Sequence, residues 1–223
     1  MSAFRESPPL PGRTLPLPVL VFALAVIAAA VLGTALQQRA AATRFQAGMV
    51  FVAGACDLSP GVAQLLGGPL TIAECAAVER IARTEVAAAF AGLRIDLTDK
   101  QDAFWTVYVR AFVPSRSRML GAAGASLAFG PLGGRGMVGF MALTAGALRH
   151  APPGTSRAEM LEAIGRGVGR SVVHELAHQI AGGAVDGSDE LTYEYGSVDR
   201  RAQYYGVLRW GDAGERMRSR LGG

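Results

Sequence analysis

Residues 156–181 read SRAEMLEAIGRGVGRSVVHELAHQIA. Ser156 and Glu159 have the spacing of a capping box, in which the hydroxyl accepts from the backbone N–H three residues on and the carboxylate reaches back. Leu161, Ile164, Val168, Val172, Leu176 and Ile180 then recur every three or four residues, the period of one helical face. Gly182 and Gly183 supply the stop. The pattern predicts one helix of about 26 residues, about 39 Å long at 1.5 Å per residue. Gly165, Gly167 and Gly169 each cost roughly 0.8–1 kcal/mol relative to alanine inside a helix. Close packing must therefore offset them, or the helix breaks near 165–169.

The last turns of this helix carry His174-Glu175-Leu176-Ala177-His178, which hold two of the chain's three histidines. Residues i and i+4 share a helical face with Cβ atoms about 5–6 Å apart, so two imidazoles there can bind one Zn²⁺ at about 2.0–2.1 Å each. Glu175 need not be a ligand. Its carboxylate stands where it can take a proton from a water at the metal. The competing reading is an accidental match with a solvated histidine pair. The flanks Ser171-Val172-Val173 and Gln179-Ile180-Ala181 argue against it, because they describe a buried helix rather than a wet face.

A catalytic zinc takes three protein ligands and a water. The chain beyond the helix is acidic, with Asp186, Asp189, Glu190, Glu194 and Asp199, each a possible ligand and each equally suited to an ordinary turn or cap. Tyr193, Tyr195, Tyr204 and Tyr205 crowd the same region. A phenol near the metal can donate to the oxyanion of a tetrahedral intermediate, and Tyr195 is the choice for that role against the alternative of core packing.

Working outward, Val19 to Leu36 (VLVFALAVIAAAVLGTAL) carries no charge and is nearly all apolar, long enough to span a bilayer. Arg5 and Arg13 precede it and Arg39 and Arg44 follow it, so flanking charge does not set the orientation. A cleaved signal peptide is the rival, but its apolar region runs only about 7–15 residues. The expected organisation is a tail over 1–13, a transmembrane signal anchor over 14–36, a juxtamembrane linker over 37–48 and a folded domain over 49–223, exported under either reading. Cys56 and Cys75 follow the apolar segment, and an oxidising compartment permits a disulfide between them. Two unpaired buried thiols are the alternative. Net charge is +4, with Arg116, Arg118, Arg200 and Arg201 the densest spots. No basic stripe with interleaved aromatics is present, which excludes nucleic-acid binding as the main role.

Within the domain, Met49–Val52 reads as a strand. Thr71 and Glu74 form a second capping box, opening a helix to about Phe90 that Gly92 ends. Leu93–Leu97 and Phe104–Phe112 read as strands, 114–136 as a long loop, Gly136–Leu143 as another strand and 144–155 as a connection. A closing helix is expected from Ser197 onward, with Trp210 against the core.

Helix, strands and then a long helix carrying H-E-x-x-H resembles the zincin metallopeptidases. The resemblance implies an α+β fold, a zincin-like domain of a small twisted sheet over an active-site helix. It implies His174 and His178 as zinc ligands and Glu175 as general base. It also implies an edge strand that holds peptide by backbone pairing, for which Gly136–Leu143 is the candidate. A metzincin needs glycine at 181 and histidine at 184; both are alanine here. A gluzincin takes a glutamate from a later helix, with Glu194 nearest. Gly187-Ser188-Asp189-Glu190-Leu191-Thr192-Tyr193 is similar to the aspzincin turn Gly-Thr-x-Asp-x-x-Tyr, with Ser for Thr and Glu at the Asp place. That departure leaves several acidic residues open; Asp189 is the expected third ligand, with Asp186, Glu190, Glu194 and Asp199 as alternatives.

The resulting expectation is a single-pass membrane protein whose extracytoplasmic domain is a Zn²⁺ peptidase acting on peptide or protein substrates. The alternatives are a zinc hydrolase for non-peptide amides, a degenerate zinc site, and a membrane-tethered binding module.

Overall fold

The structure, a computed structural model, describes residues 17–43, 45–113, 124–128, 133–182 and 185–221. The expected tail over 1–13, the basic spot at Arg116 and Arg118, and Gly183 lie outside them. The chain divides into two compact units, Met1–Ala42 and Thr43–Gly223.

In the first unit, helix α1 (Leu17–Thr43) contains an uncharged stretch, Leu17–Ala35, of 19 residues with mean hydropathy 2.5. At 1.5 Å per residue it is about 28 Å long, close to the roughly 30 Å of a bilayer's hydrocarbon core. The helix continues through most of the segment read as a linker. Gln37 to Thr43 contains neither Gly nor Pro, so nothing there breaks it.

The second unit is mixed α+β. Its strands β1 (Gln46–Phe51), β2 (Asp96–Thr98), β3 (Trp105–Arg110), β4 (Gly124–Ala128) and β5 (Gly134–Gly139) form one sheet in the order β2-β1-β3-β5-β4. β4 alone runs antiparallel to its neighbour. Strands in the middle of such a sheet are covered on both faces and read as continuous apolar runs, as the fully buried Val107, Val109 and Val138 do. The helices of this unit are α2 (Pro60–Leu65), α3 (Ile72–Ala89), α4 (Phe140–Arg149), α5 (Arg157–Ala181), α6 (Ala202–Tyr205) and α7 (Asp212–Leu221).

Both capping boxes form, at Thr71 with Glu74 and at Ser156 with Glu159. Cys56 and Cys75 are joined in a disulfide. α5 is unbroken through its three glycines because each marks a close approach. A Cβ on Gly169 would stand 2.6 Å from the Ala82 carbonyl oxygen, and one on Gly165 2.7 Å from Ile81 Cβ, both on α3. The Tyr204 ring lies against Gly167.

Four expectations are corrected. The long loop 114–136 contains β4 and the start of β5. The run Gly136–Leu143 is strand only to Gly139. Beyond it Phe140, Leu143, Thr144 and Ala147 are buried at i, i+3, i+4 and i+7, a helical face within what was read as strand and connection; a short apolar run does not by itself separate strand from helix. β5 is also interior, so the sheet edge beside α5 is β4. The closing helix splits into α6 and α7, because the chain is extended at Gly206.

Candidate metal centre

His174 and His178 lie one turn apart near the end of α5, with ring centroids 4.7 Å apart. His174 Nδ1 is 2.8 Å from the Tyr193 carbonyl oxygen. That carbonyl can only accept, so Nδ1 carries the proton and Nε2 keeps its lone pair, the tautomer a metal ligand needs. Burial, the leading cause, holds the His174 imidazole below its ordinary pKa, which favours the neutral, ligating form.

The third group lies beyond the helix end. Gly182 closes α5 with φ +64, a left-handed cap. Gly187 N then donates to the Glu194 carbonyl at 2.7 Å, pinning 186–187 beside 194–196. This places Asp186 Oδ1 3.4 Å from His174 Nε2 and 3.5 Å from His178 Nε2, while the two Nε2 atoms are 3.1 Å apart. Three ligands about 2.0–2.1 Å from a tetrahedral Zn²⁺ are about 3.3–3.4 Å from one another, so the triangle has the size a small divalent ion requires. Two imidazoles and a carboxylate are also a suitable donor set for such an ion. The group can hold a metal ion.

The structure brings Asp186 to the histidines, and not Asp189. Asp189 Oδ1 accepts from Leu191 N at 2.8 Å and Oδ2 pairs with Arg209 at 2.7 Å, so this side chain closes its own turn. Glu194 is buried and accepts from Gly211 N and Ala213 N, capping the start of α7. Asp199 pairs with Arg149 and His150. Glu190 Oε1 lies 3.4 Å from the Tyr195 hydroxyl.

Glu175 is 6% exposed yet lines the same cleft as the triad, a cavity of about 270 Å³ that also touches Gly124, Ser126, Tyr195 and Arg200. Burial, reinforced by the nearby Asp186 charge and opposed by a Ser126 hydrogen bond, pushes its carboxyl up to about 7. β4 is what closes over it. A Cβ at Gly124 would overlap the Glu175 carboxylate where it stands, so a larger residue there would displace that side chain. Ser126 Oγ donates to the Glu175 carbonyl at 3.1 Å and accepts from Gln179 Nε2 at 3.2 Å, fixing the edge strand to α5.

Sequence reasoning missed Gly124 and Ser126, which sat in the supposed loop, and Arg200. Arg200 is 5% exposed and lines the cleft. One terminal nitrogen donates to the Glu190 carbonyl, the other to Gln203 Oε1 at 3.0 Å. Its guanidinium carbon lies 4.9 Å from the centroid of the Tyr195 ring. Tyr195 is thus in the cleft as expected, with its ring against Arg200 and its hydroxyl toward Glu190. Nothing local in the sequence marks Arg200, because an arginine followed by another arginine usually reads as surface charge.

No protein-family model, curated protein or solved structure matches this chain.

Proposed function

We propose that this chain is a membrane-anchored, extracytoplasmic Zn²⁺ peptidase of zincin type, with His174, His178 and Asp186 as ligands and Glu175 as general base. The observation that carries the reading is the 3.1, 3.4 and 3.5 Å triangle of donor atoms with the Glu175 carboxyl in the same cleft. Zn²⁺ held by His174, His178 and Asp186 would supply Lewis acidity, which brings a water's pKa to about 7. Glu175 would accept a proton from the water that attacks the peptide carbonyl and return it to the leaving amine. A carboxyl that sits near neutrality before any cation acts on it is suited to both tasks; the field of a bound cation would lower it. Tyr195, on the cleft wall, would serve the developing oxyanion by turning its hydroxyl away from Glu190 Oε1.

The free side of β4 supports a peptide as substrate. Gly124, Ala125 and Ser126 line the cleft, and among the described residues no strand pairs with that side of β4. An extended peptide can add there as a further strand. The disulfide supports an oxidising compartment, and α1 supports the membrane anchor.

The test uses the full-length chain in detergent. Elemental mass spectrometry should find about one zinc per chain, and Glu175→Gln should keep the zinc while lowering peptide hydrolysis by roughly 10²–10⁴-fold. Iron in place of zinc, or a fully active Glu175→Gln chain, would overturn the proposal.

A further inference from the structure

Arg200 is a cation largely taken out of water. Among the described residues it forms no ion pair, and its Nε is enclosed with no hydrogen-bond partner. Its two bonds go to neutral acceptors, the Glu190 carbonyl and the Gln203 side chain. Burial is the first cause that draws its pKa down to about 10, and the neighbouring Arg170 adds to it, while Tyr195 and the more distant charges of Glu190 and Asp189 only partly oppose it. Removing a charge from water is costly unless something compensates. A guanidinium is therefore expected here only if an anion completes it or if the fold has no other brace.

The brace is rigid. Gln203 Nε2 donates to the Gly167 carbonyl at 3.1 Å and lies 3.2 Å from Ser171 Oγ, so Arg200 is held against α5 about one turn before His174. The guanidinium carbon sits over the Tyr195 ring, 4.9 Å from its centroid. The charge is fixed in place before any ligand arrives, which is what strong recognition of an anion requires.

We infer that Arg200 forms a carboxylate-binding subsite in the cleft of His174, His178 and Glu175, so that the preferred ligands are peptides carrying a carboxylate near the reacting bond. The inference rests on the peptidase reading above for the identity of the ligand as a peptide. The carboxylate comes either from a free C-terminus or from an acidic side chain.

The experiment uses zinc-loaded, full-length Glu175→Gln in detergent, so that nothing is cleaved. Calorimetry compares three probes of equal length: N-acetyl tetra-alanine, its C-terminal amide, and the amide with one alanine replaced by aspartate. At least one carboxylate probe should bind about tenfold or more tighter than the uncharged amide, and which one does so names the source. Adding Arg200→Gln should remove that ratio with zinc content unchanged. Because zinc also attracts carboxylates, an unchanged ratio in a folded Arg200→Gln chain overturns the inference. Where Arg200→Gln does not fold, the ¹⁵N–¹H resonance of Arg200 Nε decides instead: it should shift with the carboxylate probe and not with the uncharged amide. Equal binding of all three probes, or no binding, also overturns it. Failure of the peptidase reading shows differently, as a chain with Glu175 intact that keeps the carboxylate preference and cleaves nothing.

Discussion

Replacing Asp186 by alanine separates the two acidic residues that compete for the third ligand position. Asp186 Oδ1 is nearly equidistant from the two Nε2 atoms, at 3.4 and 3.5 Å, and its side chain is 61% exposed. Its removal leaves no cavity and no buried orphan, so the loss falls on the metal and not on the fold. Apparent binding free energies of about 10–16 kcal/mol for four-ligand zinc sites put one ligand at about 3 kcal/mol. At about 1.4 kcal/mol per tenfold, that is about a 10²-fold weaker Kd. Asp189→Ala removes a Leu191 N bond and an exposed pair with Arg209. An exposed pair contributes about 0.2–1 kcal/mol to stability and nothing to the metal, so zinc affinity should stay within about threefold. The assay is competition for zinc against a chromophoric chelator of known affinity, with thermal unfolding of each variant recorded alongside. Equal losses in the two variants, or wild-type affinity in Asp186→Ala, would refute the ligand assignment.

Two further outcomes concern the scaffold. Gly169→Ala places a methyl 2.6 Å from the Ala82 carbonyl and 2.7 Å from Glu85 Cβ, and overpacking of about 1–3 kcal/mol outweighs the roughly 1 kcal/mol of helix propensity gained. The Tm should fall by a few degrees; a rise would mean that α3 and α5 are not in close contact there. Glu74, bonded first by Arg157 and then by Thr71 N, has its carboxyl lowered from 4.5 to about 2. A lowered folded pKa gives stability that is fully present above about pH 4.5 and lost as pH falls toward 2. Glu74→Gln should therefore lower stability at pH 7 and flatten the acid limb between those values, and an acid limb identical to wild type in urea titrations would contradict the pairing.

The parts legible in the sequence are those whose geometry is local. The i, i+4 spacing puts His174 and His178 on one face wherever the helix goes, and the apolar flanks already place that face inside. Thr71 with Glu74 and Ser156 with Glu159 start their helices through bonds spanning three residues. The apolar run of α1 needs only its length and composition to be recognised. The zincin likeness, by contrast, rests on one short motif and an order of elements. The structure itself shows a mixed α+β domain with one five-stranded sheet.

What tertiary structure decided is where distant segments meet. Asp186 and Asp189 are three residues apart in equivalent acidic surroundings; the Gly187–Glu194 bond holds one beside the imidazoles, while the other closes on Leu191 and Arg209. β4 has no alternation to announce it, because Gly124 is there to clear Glu175 and Ser126 to hold Glu175 and Gln179, all residues of a different element. The apolar run after Gly136 divides into strand and helix according to what covers each part. Arg200 became part of the cleft only because Gln203 and Tyr195 fold around it. A helix turn is written in four neighbouring residues, whereas a ligand set, an edge strand and a buried charge depend on contacts between segments whose separation no local pattern encodes.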